Sequence, residues 1–170
     1  MKGWIAALVL ALLLAGCKEK RPDPMETAIN WFDTPGAFSA AVTSEALAEE
    51  VLLSARWEED QLELRFTAPE DLDGLTVRFQ GETVEIDYRE MKLPLLLREI
   101  PEQSPLLILR DTLLEGEQRL TAARWEGQRL LAEGTVRLEP VELCWEGEPV
   151  VLQTIAFPAN GTVFSVTQGQ

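Results

Sequence analysis

Apolar and polar side chains alternate along most of this chain, and that period of two is the feature that most constrains its fold. In segment 61–66, Leu62, Leu64 and Phe66 fall on one side of an extended backbone, and polar side chains fall on the other. The same alternation recurs in segments 38–42, 51–57, 75–79, 84–88, 130–138, 150–157 and 162–166. Such strands, joined by short turns, predict an antiparallel meander with one buried and one wet face. Asn160-Gly161 is expected to supply the positive φ of a tight hairpin before the last strand.

Two segments have helical rather than strand spacing. Apolar residues in segment 25–32 recur at helical intervals until Pro35, which predicts one short amphipathic helix. Ser104 and Pro105 are typical of a helix start, and Gly116 of the residue after a helix end. Leucine and isoleucine cover most of this second helix. We therefore expect it to be buried in the hollow of a curved sheet.

Three other patterns are less decisive. Residues 45–50 fit either an extended segment or a helical turn, and segment 93–97 is strongly apolar. The dipeptide Trp-Glu occurs at Trp57, Trp125 and Trp145, each time before turn residues. An aromatic binding shelf is one interpretation. We favour the other, in which aromatic residues end strands and the acidic residue opens the turn.

The first sixteen residues have the pattern of a signal peptide. Lys2 precedes an apolar run from Trp4 to Leu14, which as a helix would span about 16 Å, too short for a hydrocarbon core of about 30 Å. The run ends in Leu-Ala-Gly16-Cys17, which resembles the bacterial lipobox. That resemblance implies cleavage between Gly16 and Cys17 and diacylation of the Cys17 sulfur by palmitate-like chains. An ordinary secretory signal is the alternative.

We therefore predict three parts: a lipoprotein signal peptide at 1–16, the lipidated Cys17 with a tether at 17–24, and a single domain at 25–170. The tether is basic and contains two prolines, which favours an extended chain. Several acyl chains on one residue give stable attachment to a membrane. The predicted location is the extracytoplasmic face of the bacterial cell membrane.

Charge and composition exclude several functional classes. A formal net charge of −14 disfavours a nucleic-acid partner, which needs a basic face. The absence of histidine excludes Ser-His-Asp and Cys-His catalysis and histidine-ligated metals. If Cys17 is lipidated, Cys144 has no disulfide partner, and we expect a small, buried apolar group rather than a nucleophile.

No motif in the sequence points to an enzyme. A phosphate-binding glycine loop, a G-x-S-x-G elbow and a paired-cysteine metal motif are all absent. Asp71 and Asp73 beside Gly74 weakly resemble part of a calcium loop, but a capped turn explains them better. We predict no catalysis, no metal and no cofactor. A lipid-anchored hydrolase stays as a third hypothesis, and it needs two convergent acids in a cleft.

Segment 68–77, followed by Gly81 and segment 84–88, resembles small lipoproteins of clostridia-type bacteria with a LolA/LolB-like fold, the GerS-like germination lipoprotein group. The resemblance covers about residues 25–168. It implies an α+β, mostly β fold: a curved antiparallel sheet or half-open β-barrel with one or two helices in its concave face. Proteins of this group carry acylated proteins across an envelope or serve as membrane-tethered partners of cell-wall enzymes, and no catalytic residues come with the family.

Two hypotheses for function follow. In the first, an apolar groove accepts an acyl chain of a lipid or lipoprotein. The groove would be lined by Trp57, Phe66, Leu106, Leu109 and Leu113. In the second, these side chains pack against one another, and the protein acts through its outer surface as an accessory protein of an envelope or cell-wall partner. We favour the second because protein interiors are close-packed. A wide continuous cavity would reverse that preference.

Overall fold

The computed structural model describes residues 21–169. Helices α1 and α2 span Pro24–Phe32 and Pro105–Glu115. The strands are β1 Gly36–Thr43, β2 Val51–Glu58, β3 Gln61–Ala68, β4 Thr76–Gln80, β5 Thr83–Tyr88, β6 Met91–Leu96, β7 Leu120–Glu126, β8 Arg129–Val136, β9 Glu139–Glu146, β10 Val151–Phe157 and β11 Thr162–Gly169. Short 3-10 turns lie at Leu97–Glu99, Gly116–Gln118 and Pro158–Asn160.

Within the described residues, the eleven strands form one antiparallel sheet in the order β6-β5-β4-β3-β2-β1-β11-β10-β9-β8-β7. The first and last strands of the chain therefore meet in the middle of the sheet, where β1 pairs with β11. Helix α2 connects the two edge strands β6 and β7 through the concave side. The predicted fold class is confirmed: the sheet is a half-open β-barrel with two helices in its hollow.

Helix α1 begins where its sequence predicts. The Asp23 carboxylate accepts hydrogen bonds from the backbone N–H groups of Met25 and Glu26, at 2.9 and 3.0 Å. Pro24 follows at the first helical position, where a missing N–H costs nothing. The helix packs on β7 and β8, so the cap fixes the point at which the chain enters the domain.

The structure adds strands β6, β7 and β9 to those predicted. Strand β9 alternates Val141, Leu143 and Trp145 inward, a signal that the sequence contains. Strand β6 is mostly exposed on both faces, and a bulge between Leu120 and Ala122 interrupts the alternation of β7, so neither has a continuous period of two.

Two turns differ from expectation. The last hairpin uses a 3-10 turn, and the positive φ falls on Gly161 alone, while the Asn160 side chain accepts a hydrogen bond from the Thr162 N–H. Strand β8 ends at Val136, because Arg137 and Leu138 form a two-residue turn with φ of 50° and 68°. Residues 44–50 form turns.

The core fills the hollow between the sheet and α2. Among the largest side chains with essentially no exposure are Phe79, Leu107, Ile108, Leu109, Leu113, Trp145 and Phe157. Within the described part of the chain, no helix is long and apolar enough to cross a membrane.

Candidate functional site

The predicted groove residues lie together, but they are packed rather than open. Trp57 and Phe66 are each 6% exposed, and Leu109 and Leu113 are fully buried with them in one apolar cluster. Leu106, at the start of α2, is half-buried at the margin of this cluster. Helix α2 thus occupies the space that an acyl chain would need in the middle of the barrel.

An apolar cleft of about 330 Å³ opens at one end of the barrel. It lies where α1 leads into β1 and faces the turn between β9 and β10. Its apolar lining includes Trp31, Pro35, Phe38, Trp57, Val150 and Leu152. The rings of Trp31 and Trp57 are 5.3 Å apart, so the wall of the cleft is continuous with the aromatic part of the core.

Trp57, which lines this cleft, has a buried polar atom. Its indole Nε1 is buried and has no hydrogen-bond partner among the described residues. The same edge of the ring lies against Gly36, where a Cβ would come within 2.3 Å of Trp57 Cζ2. A buried N–H without a partner is costly, and Trp145 Nε1, in the same aromatic part of the core, is in the same state.

A second cleft, of about 260 Å³, lies where β2 and β4 end and β3 begins, and several charged residues line it. Within it, Arg78 donates to Glu63 at 2.7 Å, and that hydrogen bond raises the pKa of Arg78. Glu58 also lines this cleft. Glu63 is thus held in an ion pair at the wall of this cleft.

A buried ion cluster on α2 was missed by the sequence analysis. Asp111 bridges two arginines: Arg110 at 2.6 Å and Arg137, in the turn between β8 and β9, at 2.5 Å. Arg110 also contacts Glu115 at 3.2 Å and the carbonyl of Gly81 at 3.4 Å. The cluster holds α2 against both flanks of the barrel, and its groups are engaged with one another rather than free for chemistry.

Cys144 lies on the outer face of β9, half-buried between Leu131 and Thr154 of the neighbouring strands. Burial raises the pKa of its thiol, and nearby Arg129 offsets this only in part. The raised pKa favours the protonated thiol over the reactive thiolate, but the side chain is half-buried on the outer face rather than buried as the sequence analysis expected. Among residues 21–169, no group of three or more acidic or cysteine side chains is placed to hold a metal ion.

Gly16 and Cys17 lie outside the described residues, which begin at Arg21, and Arg21 and Pro22 contact the domain. Arg21 donates to the carbonyl of Gly127, in the turn between β7 and β8, and lies over the Trp125 ring at 5.5 Å. Trp125 Nε1 donates to the carbonyl of Pro22 at 3.0 Å. The tether thus joins the domain at the end of β7.

No protein-family model and no curated protein matches this chain. Solved structures do. An uncharacterized conserved protein from Thermus thermophilus is similar over 86% of this chain and 84% of its own, with a TM-score of 0.53 and 10% identity. A LolA superfamily protein from Nitrosomonas europaea is similar over 86% of this chain and 91% of its own, with a TM-score of 0.50 and 9% identity. At such identities the likeness shows the fold, so the chain has a LolA-like fold, as its sequence predicted.

Proposed function

We propose that this protein is a non-enzymatic binding protein, anchored on the extracytoplasmic face of the bacterial cell membrane through lipidated Cys17. In this proposal it is an accessory protein of an envelope or cell-wall protein, as in the GerS-like lipoprotein group. The observation that carries the proposal is the filled hollow. A carrier needs internal space for its cargo, whereas an accessory protein needs a stable body and a free outer surface.

The packing of α2 supports this choice. Its inward side chains Leu107, Ile108, Leu109 and Leu113 have almost no exposure. The ion cluster around Asp111 fastens the same helix to the β8–β9 turn. Moving α2 aside to admit a chain would break both sets of contacts at once.

Acyl-chain binding is the second candidate, and the end cleft favours it. A volume of about 330 Å³ lies at the small end of the range for ligand pockets, about 300–1,000 Å³. The unpartnered Trp57 N–H would suit the ester or carboxyl group of a lipid. The charged cleft gives no comparable support to a hydrolase.

The anchor is tested with the full chain expressed in a bacterial host. We expect wild-type protein in the membrane fraction, and a Cys17 peptide whose mass includes the diacylglyceryl group. Cys17→Ser is expected to lose both properties, while Cys144→Ser, the matched control, keeps them. Recovery of an uncleaved or unlipidated chain would contradict the anchoring.

The two binding modes are separated by titrating the purified full chain with a fluorescent fatty acid and by native mass spectrometry. The accessory role predicts no saturable uptake, together with a discrete adduct when a photo-crosslinking residue on the outer face is activated in cells. Saturable binding near one per chain would favour the cleft instead. It should then be lost in Val150→Lys, which lines the cleft, and kept in Leu138→Lys at the opposite end.

A further inference from the structure

We infer that the domain stands on the membrane with one particular end toward the lipid, the end that carries the apolar cleft. This end, here called the tether end, consists of turns 59–60, 127–128 and 147–150 and the start of β1. The opposite far end consists of turns 137–138 and 158–161 and loop 44–50, at the other ends of the same strands. The inference rests on the proposed lipidation of Cys17, and its partner is the lipid surface that holds the anchor.

The point at which the tether joins the domain is set by contacts of several kinds. Arg21 reaches the Gly127 carbonyl and the face of Trp125, and Trp125 returns a hydrogen bond to Pro22. Asp23 then caps α1. Residues 21–23 therefore follow the body of the domain and do not add to the free length of the tether.

The remaining tether is short. Only residues 18–20 lie between Cys17 and Arg21, and four extended residue steps span at most about 14 Å. The strands of the barrel have seven or eight residues beside the tether, which is about 25 Å of length. The turn holding Gly127 must therefore stay close to the lipid surface, and the far end has no such restriction.

The cleft lies beside the turn that the tether holds. Strands β2, β7 and β9 run in the same direction and each ends there in Trp-Glu, at Glu58, Glu126 and Glu146. Glu126 and Glu146 are ion-paired with Arg124 and Arg129 at 2.8 and 3.8 Å, so both signs of charge are present at this end. The Gly147 N–H donates to the Gln128 carbonyl at 3.4 Å, and the cleft between Pro149 and Gly36 therefore opens toward the lipid.

The orientation is tested with the full lipidated chain in phosphatidylcholine vesicles that carry an acceptor dye on their headgroups. A donor dye is placed on single cysteines in a Cys144→Ser background. Gln128→Cys and Glu148→Cys report on the tether end, and Leu138→Cys and Ala159→Cys on the far end. We expect energy transfer about twofold or more higher from the tether end, because its labels lie about 25 Å nearer to the lipid. Equal or reversed transfer would overturn the proposal.

Two further variants separate the tether from other causes of orientation. A flexible insertion of about twelve residues between Lys20 and Arg21, with a root-mean-square span of about 20 Å, should abolish the difference between the ends. The double variant Arg21→Gln/Trp125→Phe should reduce it, and both proteins should still float with vesicles. A difference that survives the insertion contradicts control by the tether. Failure of the wild-type chain to float contradicts the anchoring itself, whereas flotation with equal transfer contradicts the orientation alone.

Discussion

Leu138 lies at the second position of the two-residue turn between β8 and β9, with φ of 68°, and is 94% exposed. Leucine is poorly suited to both conditions. Its Cβ strains a left-handed backbone, and an exposed apolar side chain contributes no burial of apolar surface to stability. Turns of this kind favour Asn-Gly. The residue therefore costs the fold stability.

Leu138→Gly is expected to raise the free energy of unfolding by about 1 kcal/mol, because glycine adopts positive φ without strain. For a domain of this size that corresponds to a Tm increase of about 2–4 °C in a thermal melt. Leu47→Gly is the control, since Leu47 is also exposed but has no positive φ. An equal increase in the free energy of unfolding in the two variants would show that backbone strain at Leu138 is not the cause.

Cys144 should react slowly with iodoacetamide near neutral pH. Its pKa is raised by burial, so the thiolate fraction is smaller than in the unfolded chain. The same shift means that its contribution to stability is complete below the unfolded pKa and declines as pH rises into the alkaline range. Alkylation rates of native and urea-unfolded protein, measured against pH, check this. A native rate as fast as the unfolded one would contradict it.

At the scale of elements, α2 is held by charge as well as by packing. Asp111 accepts from Arg110 and from Arg137, which is 26 residues away. Removal of one partner from a buried pair leaves a charge without compensation, which is more costly than loss of the attraction itself.

Asp111→Asn should therefore lower the free energy of unfolding by about 3 kcal/mol. The matched variant Asp87→Asn breaks an outer ion pair with Lys92, and we expect a loss below about 1 kcal/mol. Urea denaturation of both proteins makes the comparison. Similar small losses in the two variants would mean that water reaches the α2 cluster.

The free edge of β6 is protected against pairing with another strand. The turn at 89–90 has positive φ at both residues. In the strand that follows, the backbone hydrogen-bonding groups of alternate residues face away from β5, and these residues are Lys92, Pro94 and Leu96. Pro94 has no N–H, and the Leu96 N–H donates to Glu99 at 2.7 Å. Among these three residues, only Lys92 therefore has a backbone N–H free to pair with another strand. The side chain of Met91 beside it is 65% exposed.

The double variant Pro94→Val/Glu99→Ala restores two donors to this edge and should promote self-association through β6. Sedimentation velocity over a range of concentrations is expected to show a larger average mass than for wild type. Pro101→Val, in the following loop, should have no effect. Unchanged mass in the double variant would mean that strand twist, rather than the missing donors, protects the edge.

At the scale of the whole molecule, pairing of β1 with β11 joins the two halves of the sheet in its middle. The helices fill the open side of this half-open barrel. The aromatic rings of α1 continue this core toward the cleft: Trp31 lies 5.6 Å from Trp145. The body is therefore one packed unit, with clefts near the ends of its strands.

Leu109→Ala separates a core from a ligand cavity. In a core it should cost about 2–5 kcal/mol and leave a small void. In a cavity that opens for cargo, the residue would tolerate truncation with little loss. Urea denaturation distinguishes the two cases by the free energy of unfolding. A decrease of less than about 1 kcal/mol would contradict the packed hollow on which the proposed function depends.

Much of the fold could be predicted from local pattern. Alternation in segment 61–66 placed β3, and helical spacing before Pro35 placed α1, because inward and outward facing is a property of neighbouring residues. Strand β7 was missed because a bulge between Leu120 and Ala122 interrupts its alternation. The five groove residues do lie around one hollow, but their pattern alone could not distinguish a groove from a core.

The sequence by itself determined the strand and helix periods and the lipobox pattern, because these are properties of residues close together in the chain. It also determined the acidic net charge, which depends on composition alone. Only the tertiary structure decided that α2 fills the hollow, that Arg110 and Asp111 are buried, and that Arg21 and Pro22 rest on the end of β7. These outcomes depend on partners between 26 and 106 residues away in the chain. Local pattern carries no information about which distant side chains will meet.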